Sequence, residues 1–492
     1  FFVLSKKIMK KMNLLVMSLV SAAALSFTSC SSDDLAGDNA GQAKVDQFYM
    51  TLTIQTPNSN GTRTVVKDHT TENATAAESD VTSGTFYLVD ANNKIAFTHT
   101  ISKEEWAEKK IPTQSTNGKT TLQVPVTNVT AGTKYSVYFL ANTTSDSPLT
   151  DVFTSDLANK FAKAYSTDNN FAMFNQNDAD VKGNSHTVVF TSDNKDANSA
   201  AKVSSTINIE RLTARVDEPK SEASAIKPYA VDATASDEEK KANANAVKAV
   251  KSLKLTSYAI SNVAKKTNVM QQWTDATTLS IPTGITYFQP TTEFGTKTLL
   301  QNYVYFNAVT KEKSHKDYIF ENNSSDAATS MYFEYTVELS DEYKNKADFK
   351  EDGTFYRYNK VIYSSIQDII DAYKDQKAIF DGKDAATVIA ELTAAKNDET
   401  DPEAKLDEFR KKYDIEVFNA GKTYYVQKIK DQYLGVENTI QRNSIYLLNV
   451  KNIFNVGAQV PNGGPDDRTL YYLDVEVSVN PWVLNTQDVD FK

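Results

Sequence analysis

Phe48-Tyr49-Met50-Thr51-Leu52-Thr53-Ile54-Gln55 is the stretch whose reading decides the fold. Phe48, Met50, Leu52 and Ile54 alternate with Tyr49, Thr51, Thr53 and Gln55, and a period of two marks a half-buried β-strand. Pro57-Asn58-Ser59-Asn60-Gly61-Thr62-Arg63 follows, a loop built of turn residues. Working outward, strand patterns recur at 85–89, 121–126, 135–141, 186–191 and 204–216, while 157–165 has the spacing of one short helix. Strands at this density, separated by Asn, Asp, Gly and Ser turns, predict a sandwich.

The far end of the chain mirrors the first strand. Leu473, Val475, Val477 and Val479 alternate with Asp474, Glu476, Ser478 and Asn480. Pro481 is expected to interrupt the pattern; Trp482 and Leu484 resume its apolar side, and Val489 and Phe491 alternate in the tail. A chain closing on about 20 strand-patterned residues has an edge that recruits other chains.

Between these ends the composition shifts. Residues 217–247 are rich in Ala, Asp, Glu, Lys and Ser and read as a linker or surface excursion, with a domain boundary near 216. Strand patterns return at 249–263, 330–339, 422–428 and 444–453. Ile366, Ile369, Ile370, Tyr373, Phe380, Val388, Ile389 and Leu392 fall instead at helical spacing, so 366–413 reads as two or three inserted helices. The expected fold class is all-β with helical insertions: two tandem transthyretin-like β-sandwich domains, 64–216 and 217–492.

Length and charge narrow the function. At 492 residues the chain exceeds one ordinary core. A net charge of −10 lacks the basic face a nucleic-acid binder needs. The single cysteine, Cys30, rules out an intrachain disulfide. It follows Lys6, Lys7, Lys10 and Lys11, the apolar run 14–27, and Thr28-Ser29. That layout predicts a lipoprotein signal over residues 1–30 with Met9 or Met12 as the start, Cys30 being lipidated, and 31–46 as an acidic, polar tether.

No catalytic constellation accompanies these features. His69, His99, His186 and His315 are scattered, with none at ligand spacing to another, and no HExxH, P-loop, GxSxG or GxGxxG frame occurs. Glu104-Glu105 beside Trp106 reads as solvated carboxylates, Asp466-Asp467 has too few oxygen neighbours for a calcium loop, and Trp273 reads as core. No enzyme activity, cofactor or metal is expected.

Several segments resemble a known family. The lipobox, FYMTLTIQTP and the loop ending in Arg63 are similar to the start of a fimbrillin, the shaft subunit of Bacteroidota type V pili. KYSVYFLAN (134–142), INIERLTARV (207–216), QRNSIYLLNVKNI (441–453) and LDVEVSVNPWVLNTQDVDF (473–491) resemble later fimbrillin strands, closest to the short, "minor fimbria" type. The resemblance implies a lipidated outer-membrane precursor cut by an arginine-specific surface protease after Arg63, leaving Thr64 as the new N-terminus. The removable strand carrying Phe48, Met50, Leu52 and Ile54 would then leave a groove. A neighbouring copy would refill it with its segment 470–492, through Leu473, Val475, Val477, Val479, Trp482, Leu484, Val489 and Phe491. The implied partners are further copies in a head-to-tail filament, accessory tip and anchor subunits, the protease and a lipid anchor. The implied outcome is a fimbrium for adhesion and biofilm formation. Alternatives are an anchor or tip fimbrillin, or a monomeric glycan-binding surface lipoprotein.

Overall fold

The alternation along residues 48–55 becomes a strand, Phe48–Gln55, buried on its apolar face and half-buried on the other. A computed structural model describes residues 47–56, 72–109, 119–143, 148–158, 162–177, 186–230, 233–288, 303, 305–312, 315–346, 348–375, 379–431, 434–436, 438–461 and 473–483. Cys30, the tether 31–46, Arg63, Thr64, Asp466, Asp467, Leu484, Val489 and Phe491 lie outside the described residues.

The first strand belongs to a nine-stranded sheet. Its neighbour order is Ala201–Lys202, Phe48–Gln55, Ile207–Arg211, Met173–Asn175, Lys134–Ala141, Gly84–Val89 and Ile95–Ile101. Lys119–Val126 also pairs with the first strand, and Thr187–Val189 with Lys134–Ala141. Phe86, Leu88, Val137, Phe139, Ile207 and Ile209 meet the first strand's apolar side chains in one core.

Two more sheets form the second half. One runs Glu72–Asn73, Leu473–Val483, Ser444–Ile453, Ala214–Asp217 and Lys316–Ile319, with Lys220–Ser221 also on Ser444–Ile453. The other runs Tyr305–Ala308, Val250–Ser261, Ser330–Leu339 and Lys422–Lys428. Val216, Tyr446, Leu448 and Val450 of the former share a core with Leu253, Leu255, Phe333 and Tyr335 of the latter, as facing sheets of a sandwich do. The architecture is all-β with helical insertions. Residues 46–492 cluster as one compact unit, and Asp156–Ala158 pairs antiparallel with Lys266–Asn268 between the two halves.

The helical stretch is a lobe with a core of its own. Helices Ile366–Ala372, Ala385–Lys396 and Pro402–Tyr413 pack Ile366, Ile369, Val388, Leu392, Leu406 and Phe409 against Tyr356 and Val417. Tyr356 and Val417 come from a three-stranded sheet, Val361–Tyr363, Phe355–Tyr358 and Glu416–Phe418. The lobe therefore enters the sandwich between Ser330–Leu339 and Lys422–Lys428.

Five local expectations change. Residues 157–165 do not form a helix: Asp156–Ala158 is a strand and Ala162–Tyr165 a 3₁₀ turn, because the pairing with Lys266–Asn268 overrides local spacing. Residues 204–216 are broken into Ile207–Arg211 and Ala214–Asp217, which join different sheets, so the chain changes sheet at Leu212-Thr213. The stretch read as a linker or surface excursion holds the Lys220–Ser221 strand and the helix Asp237–Ala249. That helix starts at a reciprocal Ser236–Glu239 cap and buries Ala242, Ala246 and Ala249, a signal its charged composition obscured. Glu105 is not simply solvated. It caps Lys103–Lys109 through Ser102 N, at 3.1 Å, and the helix lays a buried Trp106 against Phe139. Finally, Pro481 does not interrupt the closing strand, which runs on to Val483. Pro481 stands opposite Ser444, the last antiparallel pair, where a missing N–H is tolerated.

Candidate strand-exchange site

Phe48–Gln55 is held along both edges. On one side all eight residues pair antiparallel with Lys119–Val126, from Phe48 opposite Val126 to Gln55 opposite Lys119. On the other, Met50 and Thr51 pair in parallel with Ala201 and Lys202, and Ile54 and Gln55 with Ile207 and Asn208. Among the described residues, Lys119–Val126 and Ala201–Lys202 join the sheet only through this strand. Both would lose their ladder partner if it left.

The inward face is deeply closed. Phe48, Met50, Leu52 and Ile54 are all at most 2% exposed. The Phe48 ring centroid sits 5.5 Å from that of Phe190, with Lys195 Nζ 5.8 Å from the Phe48 centroid. Burying side chains of this size contributes about 1.5–3 kcal/mol each, an upper bound because unfolded chains are already partly compact. The outward face is polar and tied across the ladder, with Thr53 Oγ1 and Thr121 Oγ1 3.0 Å apart.

The C-terminal segment is docked at home. Leu473 stands opposite Ile453, Val475 opposite Val450, Val477 opposite Leu448 and Val479 opposite Tyr446. Trp482 and Val483 then pair in parallel with Glu72 and Asn73. Val475 packs on the second core. Leu473–Val483 therefore pairs within the chain's own C-terminal sheet, with Ser444–Ile453 on one edge and Glu72–Asn73 on the other.

Immediately after Glu72–Asn73 comes a cluster that the sequence reading missed. Glu78 is buried in a 3₁₀ turn, and its carboxylate accepts from Arg215 Nη1 at 3.2 Å, Lys316 Nζ at 2.9 Å, Tyr318 OH at 3.2 Å and the Thr75 amide at 2.8 Å. Burial by itself pushes this carboxyl up. The Lys316 and Thr75 hydrogen bonds and the Arg215 and Lys316 charges outweigh it and hold the pKa at about 2. Arg211, fully buried, donates to Glu78 O at 2.7 Å, Ser79 Oγ at 2.7 Å and Asn443 Oδ1 at 2.8 Å. The segments INIERLTARV and QRNSIYLLNVKNI thus meet at Arg211 and Asn443. Asn443 and Asn142 both take positive φ, a conformation Asn tolerates well. Asn142 Oδ1 accepts from Thr82 N at 3.0 Å, and its Nδ2 donates to the Asp80 and Phe171 carbonyls.

Among the described residues, His186, His99 and Trp273 make local contacts. His186 Nδ1 lies 2.8 Å from Ser205 Oγ, and burial lowers its pKa. His99 stacks on Phe97. Trp273 is half-buried, its Nε1 donating to Asn177 O at 2.7 Å. Among the described residues no group of three or more His, Cys, Asp or Glu could hold a metal, and Val189 is the exposed large hydrophobic side chain.

Comparison with known proteins gives one family. Residues 416–488 match the C-terminal region of fimbrillin, the major fimbrial subunit protein type IV. No curated protein matches. Among solved structures, a candidate cell adhesion protein of Parabacteroides distasonis ATCC 8503 is 10% identical at TM-score 0.43, covering 89% of this chain and 98% of that one. A fimbrial assembly protein of the same strain is 10% identical at TM-score 0.29, covering 60% and 82%. A candidate polysaccharide-binding protein of Bacteroides thetaiotaomicron VPI-5482 is 12% identical at TM-score 0.27, covering 84% and 93%. These are distant likenesses. The matched region is that of a major fimbrial subunit protein. Residues 416–488, which carry the Ser444–Ile453 and Leu473–Val483 pair, are thus similar to the C-terminal region of fimbrillin.

Proposed function

We propose that this protein is a shaft subunit of a surface pilus, polymerised by protease-triggered strand exchange. The observation that carries the reading is Phe48–Gln55: a strand paired on both edges, with four apolar side chains inward and turn residues immediately after it. A cut after Arg63 separates that strand covalently from the body. Its departure leaves two open ladder edges and four apolar pockets, the recognition mode of strand addition. The C-terminal segment of a second copy, within 470–492, refills them. Donor and acceptor are different patches, so the contact does not close and a filament grows.

On this reading Cys30 is the lipidated N-terminus of the waiting precursor, 31–63 is the propeptide, 64–216 and 217–492 are the two sandwiches, and accessory tip and anchor subunits complete the pilus. Cys30→Ala should then abolish incorporation of labelled fatty acid. The deciding experiment is Arg63→Ala. The expected product is a folded monomer retaining residues 47–56 by intact mass, with no filaments by electron microscopy. Long filaments that still contain the first strand would show that polymerisation uses another surface.

A further inference from the structure

The chain has 46 lysines but only seven arginines. Five arginines fall among the described residues, and the fold withdraws all five. Arg211, Arg215, Arg410 and Arg442 are at most 4% exposed, and the Arg357 side chain is 10% exposed.

Each guanidinium is also bonded. Arg211 is held by Glu78, Ser79 and Asn443 as above, and Arg215 by Glu78 and by Asp217 at 2.6 Å. Arg357 forks onto Glu416 and reaches the Val456 carbonyl at 2.7 Å. Arg410 donates to Val417 O at 3.0 Å. Arg442 donates to Val269 O at 2.8 Å and pairs with Glu321 at 2.7 Å.

Among the described residues, the exposed basic side chains are lysines. Lys248 is 61% exposed and Lys411 76%. Lys311 and Lys346 lie exposed in loops. Arginine suits buried, bidentate roles, which accounts for each of the five singly. It does not account for a described surface whose cations are all lysine, since arginine serves as a solvated cation equally well.

We propose that the described body survives maturation because its arginines are withheld: an arginine-specific endopeptidase finds no target among these five. This rests on the processing reading of Arg63. Such an enzyme must place an arginine side chain in an acidic slot and the flanking chain in an extended cleft. A buried, bonded arginine reaches that slot only through local unfolding, so cutting is limited by the small open population. Arg63 and Arg468, the other two arginines, lie outside the described residues.

The test uses the full native chain, treated in parallel with an arginine-specific and a lysine-specific endopeptidase, with cut sites mapped by mass. The arginine enzyme should make no cut after Arg211, Arg215, Arg357, Arg410 or Arg442. The lysine enzyme should nick the same body, including after Lys311 or Lys346. K311R and K346R, unchanged in urea midpoint, should each exchange that site's lysine cut for an arginine cut. Native cutting at any of the five arginines overturns the proposal. So does a body that resists both enzymes, or resistance of both variants, because backbone order alone would then protect it. Cutting of a variant only with a lowered midpoint also counts against it. An uncut Arg63 beside an intact, lysine-sensitive body sinks the processing reading instead, so the two failures are told apart.

Discussion

Glu78 Oε1 and Arg215 Nη1 lie 3.2 Å apart with both side chains buried, although 137 residues separate them in sequence. With Lys316 and Arg211 this pair ties the segment after Glu72–Asn73 to strands from both halves of the protein. The Glu78 carboxyl has its pKa lowered from 4.5 to about 2. The linked stabilisation is therefore fully present above pH 4.5 and is lost as pH falls from 4.5 toward 2. It amounts to about 3 kcal/mol at neutral pH. Urea midpoints at pH 7, 5 and 3 should fall steeply between the last two in the wild type, and less steeply in Glu78→Gln. Equal slopes would remove Glu78 from the account.

The two faces of the first strand should respond differently to truncation. Leu52 stands opposite Leu122 in the ladder, and both are buried. Leu52→Ala in the uncleaved precursor should cost about 2–5 kcal/mol, the range for a core leucine. Thr53→Ala loses only the cross-strand contact to Thr121 and should cost about 0.2–1 kcal/mol. Urea denaturation measures both, and similar costs would mean that the strand is not inserted as described.

Gly84 begins the strand that abuts Phe139. A Cβ there would lie 2.3 Å from Phe139 Cζ and 2.8 Å from the Leu140 carbonyl oxygen, of which the carbonyl is backbone and cannot swing away. Gly84→Ala should destabilise by about 1–3 kcal/mol, as overpacking does, despite being chemically mild. A thermal midpoint matching the wild type would contradict this packing.

Removing residues 470–492 takes away a strand that is paired along Ser444–Ile453 as well as the proposed donor. The truncated chain should lose polymerisation and also show a lowered unfolding midpoint in its C-terminal half. Mixed with intact subunits, it should cap filaments after cleavage, since it can accept a strand but not donate one. Arg63→Ala should do the converse. Loss of assembly with an unchanged midpoint would show that the strand contributes little to its own sheet.

Much of the architecture was legible because side-chain periodicity is local. The bounds 330–339, 422–428 and 444–453 read from sequence coincide with the strands formed. The inward set Phe48, Met50, Leu52 and Ile54 follows from period two, and the lobe at 366–413 from helical spacing. Misreadings arose where a short segment found a distant partner, as Asp156–Ala158 did in Lys266–Asn268, or where a cap and three alanines hid in charged sequence, as at Asp237–Ala249.

By itself, then, the sequence determined which residues face inward along each strand, because alternation assigns every side chain to a face before any partner is known. Tertiary structure alone decided which strands flank Phe48–Gln55, that Leu473–Val483 lies on its own chain's Ser444–Ile453, and that Glu78, Arg211, Arg215, Lys316 and Asn443 converge. Pairing and ion clusters join residues hundreds of positions apart. Their formation depends on closing long loops and on desolvating charges together, and no local pattern encodes either.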